Sequence, residues 1–598
     1  MSESELVSTP PVARRPARKK KILAALFCGV LLLTAGYWAS GPRSNANSVS
    51  IAPGIDDPGD RPPPVDPAGI AFADVAIERG VTYRLPQQPR PMKSTEAFGS
   101  GCALFDYDGD HWPDLLLVTD PHPVLYHNLG GVRFEEVTAA SGLTVADANW
   151  TGCAVGDYDG DGWLDLLLTG VHRLALFRNA EGKGFQEATG QVELDPMNHG
   201  HWGASAGFMD LDNDGDLDLV ILNYVVFGPE SKQYCELSPG VKSGCPPKEY
   251  EPEFGEIWRN NGPAGFERIP PEISGMKDTH GVGLVLAFTD YNDDNRIDFY
   301  IGNDGVPAEM MHNLGDMKFK NVGTLSSLSV GRDYRAMAAM GADWADFNRD
   351  GLLDLSVTDF QKNCFALYRN EGNGFFVEVS NITGLSVSTC DRLGFGVKWL
   401  DMDNDRWPDL SFVNGHVYDN VGDIEGRGVQ FRQPIMLFHN LNGKRFVDLI
   451  PVLDEALARP LVGRGSATGD FNRDGRTDLL VVDYEGPALL LENRSTTRGH
   501  WLTLELRAAA PNVFAYGARA TARVGNERWV GEVAPASSYL SSSEPQIHWG
   551  LGEFDHLDTL TIRWPSGREQ TFNDVSADRF LRIADGDAEL PAVAPSND

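Results

Sequence analysis

The sequence predicts an all-β protein in which a seven-bladed β-propeller is followed by a small C-terminal β-sandwich or barrel. Three observations predict it. A nine-residue acidic motif recurs seven times with a period of a little over 50 residues, each copy lies between two apolar runs, and the fourth strand missing from the last repeat stands ahead of the first.

The copies are "DYDGDHWPD" at Asp106, "DYDGDGWLD" at Asp157, "DLDNDGDLD" at Asp210, "DYNDDNRID" at Asp290, "DFNRDGLLD" at Asp346, "DMDNDRWPD" at Asp401 and "DFNRDGRTD" at Asp470. Their first aspartates are 51, 53, 80, 56, 55 and 69 residues apart, which places insertions in the third and sixth repeats. Each repeat reads as an apolar segment, the acidic motif, a second apolar run such as "DLLLVTD", a third segment with a turn such as "VLYHNLGG", and a fourth strand opening on an aromatic, such as "FEEV". The seventh repeat lacks that fourth strand, and "FADV" at Phe72 supplies it from the other end. An N-terminal strand that completes the last blade closes a ring.

A helix-loop-helix calcium hand needs a bidentate Glu at position 12 of its loop. Here position 12 is Leu117, Leu168, Ile221, Ile301, Val357, Phe412 and Val481, all apolar, so the motif is a turn between antiparallel strands. Positions 1, 3, 5 and 9 then surround one point. They are Asp106, Asp108, Asp110 and Asp114; Asp157, Asp159, Asp161 and Asp165; Asp210, Asp212, Asp214 and Asp218; Asp290, Asn292, Asp294 and Asp298; Asp346, Asn348, Asp350 and Asp354; Asp401, Asp403, Asp405 and Asp409; and Asp470, Asn472, Asp474 and Asp478. Four carboxylates within a few ångströms repel one another by about 1 kcal/mol per pair even in water, and hard oxygen ligands in a flexible cage suit Ca²⁺. Several structural calcium ions, up to seven, are expected, with weaker sites where Asn replaces Asp. Position 6 is a glycine or Asn295 in five loops but His111 and Arg406 in the others, and these two loops are expected to be distorted or, at Arg406, to have their cation partly displaced.

The formal net charge of −34 argues against nucleic-acid or anionic-membrane binding through a basic face, and cations are the natural counterpart. Residues 1–21 form a basic cytoplasmic segment, 22–40 an anchor or signal segment, and 41–69 a Pro/Asp-rich linker; 70–496 are the propeller, 497–588 the C-terminal β domain and 589–598 a disordered tail. The expected location is therefore exported, periplasmic or at the cell surface, with membrane contact only through the N-terminal segment and a monomeric body. Export permits disulfides: Cys235 with Cys245 is expected to close a loop, Cys364 with Cys390 is a second pairing, and Cys102 and Cys153, equivalent in successive repeats, read as buried thiols.

The loops resemble the FG-GAP (VCBS-type) repeats of integrin α-subunit propellers, in which such loops bind structural Ca²⁺. The tail, "GHWLTLELRAAAPNVFAYGARATARVGNERWVGEVAPASSYLSSSEPQIHWGLG" followed by "TIRWPSGREQTFNDV", resembles the ASPIC/UnbV domain. Together they resemble the cartilage acidic protein family, as a bacterial-type exported member. The resemblance implies architecture and calcium, and no established catalytic activity.

No general catalytic motif is present; "GASAG" around Ser205 matches a nucleophile elbow only formally, because Ser205 holds the blade-strand position of Gly101 and Gly152. Both insertions fall between second and third strands, at the end opposite the acidic loops, and residues ending second strands point there too: Asp120, Asn223, Asp304, Asp359, His416 and Asp483. The sequence therefore predicts a binding or adhesion protein that recognises a protein or glycan through this face. The alternative is an extracytoplasmic enzyme acting on a polysaccharide, which needs two carboxyls about 5 to 10 Å apart in a cleft.

Overall fold

The computed structural model describes residues 69–590 apart from 427, 454–455 and 497–498. The basic segment, the apolar stretch at 22–40, nearly all of the linker and most of the tail lie outside the described residues. Among the described residues no helix is long and apolar enough to cross a membrane.

Residues 69–496 form seven four-stranded antiparallel sheets. The first contains Cys102–Phe105, Asp114–Leu117, Val124–Asn128 and Phe134–Glu136, and the others repeat this order. Phe105 pairs with Asp114, so the acidic motif is the turn between first and second strands. The seventh sheet takes Phe72–Asp74 as its outer strand, in register with Asn493, Glu492 and Leu491 of Leu489–Asn493, as the sequence predicts. First strands of successive sheets lie side by side, and that of the seventh lies beside that of the first, so they surround a central channel.

The C-terminal segment forms two sheets. One holds Ile547–Gly552, His500–Arg507 and Arg579–Ala584; the other holds Glu527–Glu532, Arg519–Val524, His556–Arg563 and Glu569–Ser576. Alternate side chains such as Leu502, Leu504, Ala520, Ala522, Leu560 and Ile562 are buried between them, so the two sheets make a sandwich, as their alternating pattern implies. The sandwich sits on the acidic-loop end of the ring. Arg563 donates to Asp290 at 2.6 Å, His548 meets Asn404 at 3.0 Å, and Trp501 packs on Gly475.

Ring closure pairs the outer strands but leaves the inner edge of each first strand without a partner, and a segment of the sandwich fills that need. The hairpin of Ala536–Ser537 and Ser541–Ser542 enters the channel and adds to the inner edge of the first sheet. Leu540 O accepts from Cys153 N at 3.1 Å, Ser538 N donates to Ala342 O at 2.8 Å, and Ser541 Oγ accepts from Cys102 N at 3.1 Å. Lys398 Nζ donates to Ser537 Oγ at 2.8 Å. Small residues on the first strands make room: a Cβ on Gly101 would stand 1.8 Å from Leu540 O. The serines of "ASSYLSSS" thus answer unpaired main-chain groups of several sheets at once, and one apolar cluster runs from the first four sheets through Tyr539 and Leu540 into the sandwich.

Candidate functional site

The seven acidic turns share one conformation, built by their own carboxylates. In the second turn Asp157 accepts from Asp161 N at 3.0 Å and Gly162 N at 2.9 Å, while Asp161 accepts from Trp163 N at 3.1 Å. The fourth to seventh turns repeat all three bonds. Neither His111 nor Arg406 opens its turn, but in the first turn Asp106 accepts from Gly109 N at 2.7 Å in place of Asp110 N. His111 and Arg406 adopt φ of 76° and 93°, beside 93° at Gly162, and each gives its N–H to the leading aspartate at 2.9 and 2.8 Å. These bonds hold the residue in the left-handed region against a strain of roughly 1–3 kcal/mol. The Arg406 side chain turns toward the sandwich: its Nε donates to Asp405 O, and its guanidinium stacks 5.4 Å from the Phe554 ring centre there.

Other basic side chains do lie on these carboxylates. Arg178 binds Asp159 and Asp161, Arg259 binds Asp212 at 2.9 Å, and His127, His312 and His439 contact Asp114, Asp298 and Asp409 at 3.1 to 3.2 Å. Burial pushes Asp210 up to about 7, with Asp214 and Asp212 adding to it, and burial pushes Asp114 up to about 7. Carboxylate oxygens of Asp210, Asp212 and Asp218 come within 4.8 Å of one another. Buried oxygens of Asp210, Asp212, Asn292 and Asp298 have no hydrogen-bond partner, which fits a hard cation in the third and fourth turns.

Position 9 has a further task that sequence reasoning missed, together with its partner. Asp165 accepts from Tyr158 N at 3.0 Å and Asn179 N at 2.7 Å. Asn179, the last residue of the third strand, donates through Nδ2 to Leu164 O in its own sheet and to Tyr107 O in the preceding turn, at 3.0 and 2.7 Å. Asn260, Asn313, Asn370, Asn440 and Asn493 make the equivalent link to Tyr158, Leu211, Tyr291, Phe347 and Met402, and Asn128 to Phe471 carries it from the seventh sheet to the first. The signal was present as the Asn ending "YHN", "FRN", "WRN", "MHN", "YRN", "FHN" and "LEN".

At the opposite end the two insertions meet. The hairpin of Cys235–Ser238 and Val241–Ser243 is closed by the Cys235–Cys245 disulfide, and Asn420 of the second insertion donates to Lys242 O at 2.8 Å. The chain before the first sheet joins them: Ser94 Oγ bonds Cys245 and Tyr250, and Met92 N donates to Asp419 at 2.9 Å. Between these segments and the channel lies a cavity of about 480 Å³, walled by Tyr224, Tyr250, Phe360, Phe395 and Tyr418 and floored by Phe98 and the hairpin residue Tyr539.

Of the six second-strand ends, Asp304 lines this cavity. Asn223 is fully buried and donates to Phe254 O; Asp359 is buried and accepts from Ala338 N and Phe360 N; Asp483 is buried and accepts from Val462 N. His416 is buried too, with Nδ1 accepting from Tyr418 N, and Asp120 accepts from Asn149 Nδ2 at 2.8 Å. These five serve turns and neighbouring segments, as ordinary strand-end residues do. Ser205 is buried in Gly203–Met209 and donates to Leu284 O at 2.7 Å, with no helix following it as a nucleophile elbow requires. Cys364 and Cys390 are bonded, and Cys102 and Cys153 are buried free thiols.

The family described as "FG-GAP-like repeat" matches residues 106–168, 157–221, 290–357 and 346–411, and that described as "ASPIC and UnbV" matches 508–590. The chain thus carries FG-GAP-like repeats and an ASPIC/UnbV-like segment. This repeat protein is similar to cartilage acidic protein 1 of Mus musculus, with 23% identity over 503 residues, 79% of this chain and 71% of the mouse protein. It is similarly related to the Homo sapiens protein of that name, with 23% identity over 513 residues, 80% of this chain and 70% of the human one. Among solved structures it is similar to an Agrocybe aegerita lectin that recognises non-reducing terminal N-acetylglucosamine, with 14% identity and a TM-score of 0.37, covering 64% of this chain and 86% of that one. FG-GAP repeats on a propeller-like fold mark a binding or adhesion type of protein, and these relatives are not known enzymes.

Proposed function

We propose that this chain is an exported, monomeric, calcium-braced binding protein that takes a protein or glycan group at the cavity where its insertions meet. The observation that carries the reading is that cavity: about 480 Å³ lies within the usual range of ligand pockets, and its wall is assembled from both insertions, the pre-sheet segment and the channel hairpin. Calcium braces the far end. The third and fourth turns have unpartnered buried oxygens for it, Asp108, Asp159 and Asp403 add charge in the other four-aspartate turns, and Arg178 and Arg563 compete with it for carboxylates in the second and fourth. When bound, the ion neutralises the clustered carboxylates and fixes the turn. Two disulfides suit an oxidising compartment, which agrees with a basic segment followed by an apolar one at the N-terminus.

The enzyme alternative has less support. Polysaccharide hydrolysis draws on two carboxyls facing one cleft, and Asp304 is the acidic side chain in this cavity wall while buried Asp359 is committed to main-chain donors. The reading is tested by screening the full chain against surface glycans and proteins, then repeating any hit with Val306→Trp, which places a large side chain in the cavity. Binding is expected to fall by at least about tenfold. Unchanged binding would place recognition elsewhere.

A further inference from the structure

The polar groups of the cavity wall are mostly committed to one another. Tyr539 Oη donates to Phe98 O at 2.9 Å, Tyr250 Oη bonds Ser94 Oγ and Lys232 O at 2.9 and 2.8 Å, and Asn363 reaches Asp359 at 3.3 Å. Tyr224 Oη donates to Asp304 Oδ2 at 2.7 Å, and the nearby carboxylate joins burial in holding that hydroxyl protonated. What remains for a ligand is a set of aromatic faces and the carboxylate of Asp304, with the exposed Lys248 at the rim, where its ammonium stands in solvent. That carboxylate has no Lys or Arg within ion-pair distance among the described residues; burial raises its pKa and the Tyr224 hydrogen bond opposes the rise. The buried Arg464 is engaged elsewhere: it stacks 4.0 Å from the Phe395 ring centre and donates to the carbonyls of Gly463, Ala97 and Phe98.

Aromatic faces around an acceptor without a counter-charge are the chemistry that holds a cation, since ring quadrupoles and a carboxylate attract the same sign. A neutral sugar would need several free donors and acceptors, and the wall has spent most of its own. We propose that the cavity binds an organic ammonium group, its charge at Asp304 and its alkyl carbons against Tyr224, Tyr418 and Phe395. The proposal rests on the cavity being the ligand site. Shared by a free small molecule and a methylated lysine side chain, this chemistry can come from either source.

The test is calorimetric titration of the calcium-loaded full chain with choline, its neutral carbon isostere dimethylbutanol, a trimethyl-lysine peptide and a neutral N-acetylglucosamine oligomer. A cation is expected to bind at least about tenfold tighter than the neutral isostere, with the stronger of choline and peptide naming the source. Asp304→Asn is expected to remove that preference without lowering the melting temperature; if this variant fails to fold, the choline-to-isostere ratio on the unaltered chain decides. Equal binding of choline and isostere, or binding of the sugar alone, overturns the cation class while leaving the cavity as the site. No binding by any of the four overturns the cation proposal, whereas a hit insensitive to Val306→Trp overturns the cavity itself.

Discussion

Asn179 and its six equivalents show how much rests on one side chain per repeat. Each carboxamide answers two buried carbonyls and, through Oδ1, a main-chain N–H of the following turn, Gly182 N at 2.9 Å in this case. Asn179→Ala leaves those groups unpaired in a dry interior and is expected to cost about 2–4 kcal/mol, read as a lowered denaturant midpoint. Asn179→Asp keeps the shape but turns a donor toward two carbonyls into an acceptor, so it is expected to rescue little. A second residue-scale comparison separates backbone strain from contact. Gly475 has φ 81° and a Cβ there would stand 2.0 Å from Trp501, whereas Gly162 has φ 93° with nothing near. Gly162→Ala is expected to cost about 1 kcal/mol for the left-handed backbone alone, and Gly475→Ala about 1–3 kcal/mol more, in equilibrium unfolding measurements.

At the scale of the element, the acidic turn is a strand connection with its own internal hydrogen bonds, and the carboxylates proposed to hold calcium already serve that task. This explains why His111 and Arg406 are tolerated where glycine is easier: the leading aspartate holds their N–H groups whatever the side chain. It also ranks the turns. The third has four aspartates and unpartnered buried oxygens on Asp210 and Asp212. Chelation is expected to lower the melting temperature of the full chain, and Asp212→Asn to weaken one calcium site without removing the rest, both read by calorimetry with and without EDTA. An unchanged melting temperature on chelation would leave the turns as hydrogen-bonded connections only. The repeat of strand, turn and strand was legible because apolar runs and turn residues are local patterns. The asparagine link joins main-chain groups of neighbouring sheets, and no local pattern says which carbonyl it meets.

For the whole molecule the sandwich and the ring make one structure. The sandwich covers the acidic turns, and its hairpin runs down the channel to place Tyr539 in the floor of the cavity at the other end. Removing residues 497–598 would leave inner-edge groups such as Cys153 N and Ala342 O without their partners and uncover the channel wall. The truncated chain is expected to lose cooperative melting and bind a hydrophobic dye, whereas an independently stable ring would melt as a separate, intact transition. The same continuity ties the two ends together: a change in the hairpin is a change in the cavity floor.

The sequence by itself determined the all-β class, the acidic turns, the strand at Phe72 that completes the last sheet and the face on which the insertions lie, because hydrophobic period, turn chemistry and repeat spacing act over a few residues. Only the tertiary structure decided that Asp304 lines the cavity while Asn223, Asp359, His416 and Asp483 support turns, since each ends a second strand alike and differs only in what packs against it. It also decided the place of "ASSYLSSS", a polar segment that reads as a surface loop until the open inner edges of the first strands give its serines and main chain their partners.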